Sequence, residues 1–127
     1  MHPAYFETRF RTAVAVSHWP DQFVILTAHA TTGEVWSAER CAQADAALHQ
    51  RLVEQCGWLV RLTGYSPITG HAEAGWGCDL DLATGCDVGG EFLQDALYVV
   101  DRGGLFVCQC AQPSEMVWVA PFFDRLD

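Results

Sequence analysis

The sequence predicts an α+β domain: a mainly antiparallel or mixed sheet, elements in the order β-β-α-β-β-α-β-β, and two helices on one face. Three observations carry this expectation. FVILTA at 23–28 is a continuous apolar run, as expected of a strand buried on both faces. Residues 37–56 then switch to a helical period. Further on, ALYVV and LFVCQC flank DRGG, the pattern of a β-hairpin, which excludes an all-parallel sheet.

Taken in order, RFRTAVAVS (9–17) is rich in β-branched and aromatic residues and reads as the first strand, broken by the turn-like HWPDQ. FVILTA is the second. The first helix places Ala38, Cys41, Ala44, Leu48, Leu52, Val53 and Cys56 on one face. Glu39, Gln43, Asp45, Gln50, Arg51 and Glu54 fill the other positions, Ser37 is the N-cap and Gly57 the terminator. WLVRLT (58–63) is a strand followed by the loop GYSPITG. In GWGCDLDL, Trp76, Cys78, Leu80 and Leu82 alternate with Gly or Asp, so one face of that strand is buried and the other open or closely approached. A short helix is expected over 83–94 with Phe92 and Leu93 turned inward, although Gly85, Gly89 and Gly90 weaken it. The apolar tail MVWVAPFFDRLD is expected to pack back on the body or on a partner.

Length and composition fit one compact domain spanning 1–127, long enough to fold without staples. There is no lysine, and seven arginines face sixteen acidic residues, giving a net charge of −9. Such a surface repels phosphate backbones, so direct nucleic-acid binding is not expected. Asp79, Asp81, Asp87, Glu91, Asp95 and Asp101 have only Arg102 near them in sequence. They read either as a solvated face that maintains solubility or as a patch for a basic partner. No apolar run is long enough to cross a bilayer. The N-terminal residues lack the basic and apolar regions of a signal peptide, so a cytoplasmic location and six reduced cysteines are expected.

His71-Ala72-Glu73 has the H-x-E form of a zinc deaminase, but the required P-C-x-x-C is missing and the following residues are strand-like. Cys108 and Cys110 share a strand face and can be read as chelating or as small core residues; core is favoured, and no metal is expected. No nucleophile elbow, dinucleotide fingerprint or P-loop is present, so no cofactor is expected. Asp79 and Asp81 resemble a carboxylate pair, although an exposed strand face also accounts for them. If TAHATTG and GHAE meet at one end of the sheet, His29, His71 and Glu73 form a polar cluster. Those three are the catalytic candidates.

ETRFR, FVILTAHATTGEVWSAER, GHAEAGWGCDL and EFLQDALYVV, followed by a G-L-F-V strand, occur in this order. In this the chain resembles a bacterial family of uncharacterised proteins, domain of unknown function 3293, from about Tyr5 to Cys110. The resemblance transfers a fold and candidate positions and implies no reaction. Its characteristic pieces fall on Thr27 and Ala28, on Glu73, and on Phe92, Gln94 and Ala96. The chain departs from it at Ala30 and Thr31, where the family continues with Asn-Pro. His71 is not part of the family pattern, which argues against a His71–Glu73 metal motif.

Binding candidates are therefore Thr27, Ala28, Gln94, Asp79 and Asp81. The leading functional expectation is a small binding or regulatory module that meets a protein partner, basic in character, through its acidic face. A homodimer is the other assembly open to it, and a membrane is not expected as partner. The alternatives are a small enzyme, with Glu73 as acid/base and Gln94, Thr27 or His29 orienting a substrate, and an acidic inhibitor or nucleic-acid mimic. A catalytic Glu73 belongs in a concave pocket with polar neighbours from other segments. A structural one caps a turn or pairs with Arg9 or Arg61.

Overall fold

The structure, a computed structural model, describes residues 1–30 and 34–127. A 3-10 turn over Pro3–Phe6 leads into β1 (Arg9–Arg11) and β2 (Gln22–Thr27), followed by α1 (Ala38–Val53), β3 (Leu59–Tyr65) and β4 (Ala72–Cys78). Then come α2 (Leu82–Glu91), β5 (Ala96–Asp101), β6 (Gly104–Gln109), β7 (Met116–Pro121) and a 3-10 turn over Phe122–Asp124. The strands form one seven-stranded sheet in the order β1-β3-β4-β2-β5-β6-β7. Every neighbouring pair is antiparallel.

The α+β class, the antiparallel sheet and the two helices agree with the sequence reading, but the elements differ in detail at both ends. The expected first strand over 9–17 shortens to Arg9–Arg11. Beyond Arg11 the chain must leave the sheet edge and cross β3 and β4 to reach β2, so residues 12–20 cannot stay on the ladder. At the other end, the tail supplies a seventh strand, β7, paired with β6 around an irregularity at Leu105/Phe106.

Strand β2 is buried on both faces because two cores meet at it. Val24 and Leu26 point to a core shared with Leu48 and Leu52 of α1, Cys86 and Val88 of α2, and Leu97 and Val99 of β5. Both helices therefore cover the same face. Phe23 and Ile25 point the other way, into a core with Phe10, Leu62, Val100, Leu105 and Phe122. Trp19 and Trp58 pack edge-on and tilted around Phe23 and Phe122 in this second core. The face without helices is thus closed by aromatic side chains and by the returning C-terminal tail.

Local signals account for the helices. The Ser37 hydroxyl accepts the Arg40 amide at 3.1 Å, as an N-cap should. The helix ends at Val53, earlier than the sequence pattern suggested, and Val53 itself is exposed. Gly57 does not act as a left-handed cap; its amide donates to Asp79 Oδ1 at 3.1 Å. Helix α2 stops at Glu91, and Leu93, expected inside, is exposed. Leu93 takes a left-handed φ of 60°, and the turn, closed by the Gln94 amide on the Gly89 carbonyl at 2.9 Å, puts Gln94 inward instead.

The glycines that lower helix propensity in α2 allow it to lie close to the sheet. A Cβ at Gly85 would sit 3.2 Å from Val24, and one at Gly89 3.0 Å from the Cys110 sulfur. In β4 the same device appears on the face opposite the helices. A Cβ at Gly75 would lie 2.5 Å from the Leu26 carbonyl oxygen, so any side chain here would collide with the adjoining β2 backbone. Gly75→Ala is therefore expected to destabilise the protein by about 1–3 kcal/mol, against the usual preference for alanine over glycine in strands. Urea denaturation measures this, and an unchanged or raised midpoint would show that β2 and β4 separate freely.

Candidate functional site

The sheet register brings the separate sequence candidates to one end of the sheet. Thr27, the last residue of β2, lies opposite Gly75 of β4, so the chain leaving β2 passes beside the start of β4. Glu73 lies opposite Gly64 of β3, which lies opposite Phe10 of β1, and this places Glu73 on the face away from the helices. Arg61, its candidate structural partner, lies opposite Trp76 and hence on the helix face.

Arg61 makes a bidentate pair with Asp45 of α1 at 2.7 and 2.8 Å and stacks on Trp76, whose indole also donates to Asp45 and whose other contacts include a stacked His49. Arg9 is bound to Asp127 at 2.8 Å. Neither arginine reaches Glu73. Its partner is His71, with Nε2 and the carboxylate 2.8 Å apart; the Glu73 side chain is 32% exposed and His71 70%.

Glu73 and His71 line a cleft of about 740 Å³ together with Thr27, His29 and Gln94. Gln94 fixes the chain at the cleft's edge. Its amide oxygen accepts the Thr27 hydroxyl at 3.1 Å, while its nitrogen donates to the carbonyls of His29 at 2.8 Å and Phe92 at 2.9 Å. Phe10, Ile25 and Tyr98 also line the cleft, where the aromatic core reaches the surface. The Tyr98 hydroxyl donates to the Tyr5 carbonyl at 2.7 Å and lies 2.9 Å from the Thr8 hydroxyl, which holds the N-terminal 3-10 turn as a wall. Burial raises the ionisation range of both tyrosines. For Tyr5 the fields of Asp95 and Glu73 add to this; for Tyr98 the Thr8 contact opposes it.

The other candidates lie elsewhere. Ala28 is fully buried in the helix-side core and lines no cleft. Asp79 and Asp81 lie past the end of β4 rather than on a shared strand face, because the strand stops at Cys78. Asp79 accepts the Gly57 amide, and Asp81 caps α2 by accepting the Thr84 amide at 2.8 Å. Both carboxylates are thus engaged in holding the fold, at the end of β4 away from the cleft. Thr31 lies outside the described residues.

The cysteines sit mainly in the helix-side core. Cys78, Cys86 and Cys108 are buried there, with Cys56 and Cys110 packed against them. Burial pushes the Cys86 and Cys108 thiols up to about 11, far from the thiolate form that binds metals or attacks substrates at neutral pH. Among the described residues no three His, Cys, Asp or Glu side chains converge where they can hold a metal ion. No described helix is long and apolar enough to cross a membrane.

Sequence reasoning did not single out Tyr5, Tyr98 or Trp36 for this site. Tyr98 reads as one more residue of a hairpin strand, and Tyr5 gains its place only when the N-terminal turn folds across the sheet. Comparison of the chain with family models, curated proteins and solved structures found no match.

The Thr84 amide holds the Asp81 carboxyl below the ordinary carboxylate range. Such a group contributes stability that is present above its unfolded value, about 3.9, and is lost as pH falls through the lower folded value. Asp81→Asn keeps a capping oxygen and removes this titration. The variant is expected to lose less stability than the parent on acidification below about pH 4, as measured by urea midpoints across that range. Parallel acid profiles would show that the cap does not titrate.

Proposed function

We propose that this domain binds a small organic molecule in the cleft, with the Glu73–His71 pair and the Gln94-anchored turn at Thr27–His29 as its polar recognition groups. The observation that carries this reading is the convergence of five separate segments on one concave site of about 740 Å³, a size typical of ligand pockets. Those segments are the N-terminal turn, the chain after β2, the β3–β4 connection, the turn after α2 and β5. The resemblance to the uncharacterised bacterial family supports it. Of the six positions that carry that resemblance, Thr27, Glu73, Gln94 and Ala96 line the cleft, whereas Ala28 and Phe92 do not.

Acid–base catalysis is the second reading, favoured by the 2.8 Å contact between a carboxylate and an imidazole. That contact orients the imidazole for proton transfer. The acidic-face reading, a module that meets a basic protein, keeps a narrower basis. Asp79 and Asp81 bond to backbone amides and Glu91 pairs with Arg51, whereas Asp87, Asp95 and Asp101 form no ion pair among the described residues.

Titrating 15N-labelled protein with the low-molecular-weight fraction of a cell lysate separates a cleft function from the acidic-face reading. The amides of Thr27, Glu73, Gln94 and Ala96 are expected to shift before those of Asp79, Asp87 and Asp101. Shifts confined to the second group, or appearing only with the protein fraction, would move the function to the acidic face.

A further inference from the structure

The charges around the cleft are unevenly placed, with carboxylates in its lining and the guanidiniums of Arg11, Arg40 and Arg125 behind it. Glu7, Glu34, Glu73 and Asp95 all line it, and no arginine does. The chain contains no lysine, and residues 31–33, Thr-Thr-Gly, carry no charge. None of these four carboxylates forms an ion pair with an arginine among the described residues: the ion pairs of Arg9, Arg51 and Arg61 go to Asp127, Glu91 and Asp45. Glu73 contacts the His71 imidazole, and Glu34 accepts the Trp36 indole N–H at 3.1 Å.

The cleft's other surface is aromatic and apolar. Phe10, Tyr98, Ile25 and Leu97 line it, and Trp36 and Tyr65 contribute further rings. These last two already show what they accept. The Arg40 guanidinium lies 4.0 Å from the Trp36 ring centre and that of Arg11 4.8 Å from Tyr65, although neither arginine is itself part of the lining. Electron-rich ring faces attract cations, and a concave wall of low polarity strengthens the field of the carboxylates inside it. The fields of Asp95 and Glu73 both reach the hydroxyl of Tyr5, a lining residue, while at Tyr98 the field of Glu73 is opposed by that of Arg125.

We infer that the cleft selects an organic cation, an ammonium group carried on an aromatic or apolar body, over neutral and anionic molecules of the same shape. The inference rests on the cleft being the binding site. The ammonium is placed beside Glu73 and Asp95, and the body against Phe10, Ile25 and Tyr98. An anion meets four carboxylates in the lining and no arginine there, and a neutral molecule gains apolar contacts and hydrogen bonds but no ion pair.

A matched series tests this: tryptamine, tryptophol and indole-3-propionate share an indolylethyl body and differ in charge. At pH 8 the amine of tryptamine remains protonated, tryptophol is neutral and the propionate is anionic. Tryptamine is expected to shift the amides of Thr27, Glu73, Gln94 and Ala96 with a Kd at least about tenfold below that of tryptophol, equivalent to about 1.4 kcal/mol. Indole-3-propionate is expected to shift none of them. In folded Glu73→Gln/Asp95→Asn protein, tryptamine should weaken towards the tryptophol value. Tryptophol or indole-3-propionate binding in the cleft as tightly as tryptamine would overturn the charge inference and leave the cleft as a site. If none of the three shifts these amides, the cleft reading falls as well.

Discussion

The backbone of Phe10 is bonded on one side to the C-terminal tail, and much of the structure depends on that contact. Its amide donates to the Arg125 carbonyl at 2.7 Å, and its carbonyl accepts the Asp127 amide at 2.9 Å. Strand β1 is one edge of the sheet, and the tail follows β7 at the other edge, so these bonds curl the sheet and join its ends. Phe122 reaches the aromatic core only because the tail crosses there, and burying a side chain of that size contributes roughly 1.5–3 kcal/mol. Arg125 extends the contact, donating to the carbonyls of Phe6 at 2.9 Å and Thr8 at 3.2 Å. The tail therefore holds the segment that walls the cleft.

Close approach of backbones is the second constraint, and glycine provides it. Gly75 and Gly77 remove side chains from one face of β4, so Leu62, Val60 and Trp58 close over it and β2 lies hard against it. Gly85 and Gly89 let α2 do the same on the opposite face. Local propensity counts these glycines against a strand and a helix. The packing makes them requirements, and the short α2 is stabilised by the core it touches and by its Asp81 cap.

Features encoded by neighbouring residues were legible in the sequence. The apolar period and N-cap of α1, the two-faced burial of β2 and the β5–β6 hairpin each depend on residues within one segment. That His29, His71 and Glu73 border one cleft was also legible as a conditional, because it needed only that the chain after β2 approach the start of β4. What depended on residues far apart in the chain was not. The β1 crossing, β7 and the tail bond at Phe10 have no local signature. Nor do the cleft roles of Tyr5 and Tyr98, which exist only once the N-terminal turn is held across the sheet. Asp79 and Asp81 misled for a related reason: their alternation with apolar residues looks strand-like, but the strand has already ended and Asp81 begins a helix.

Together these constraints make the cleft a consequence of the curl: the tail fixes the N-terminal wall, the strand register supplies Glu73 and Thr27, and Gln94 holds the chain between them. Amide hydrogen exchange of Arg125→Ala protein, resolved by residue, tests that dependence most directly. Protection of the amides of Tyr5 and Glu7 is expected to fall while those of β2 and β5 exchange as in the parent. Unchanged protection at Tyr5 and Glu7 would contradict the account, since the cleft wall would then stand without the tail.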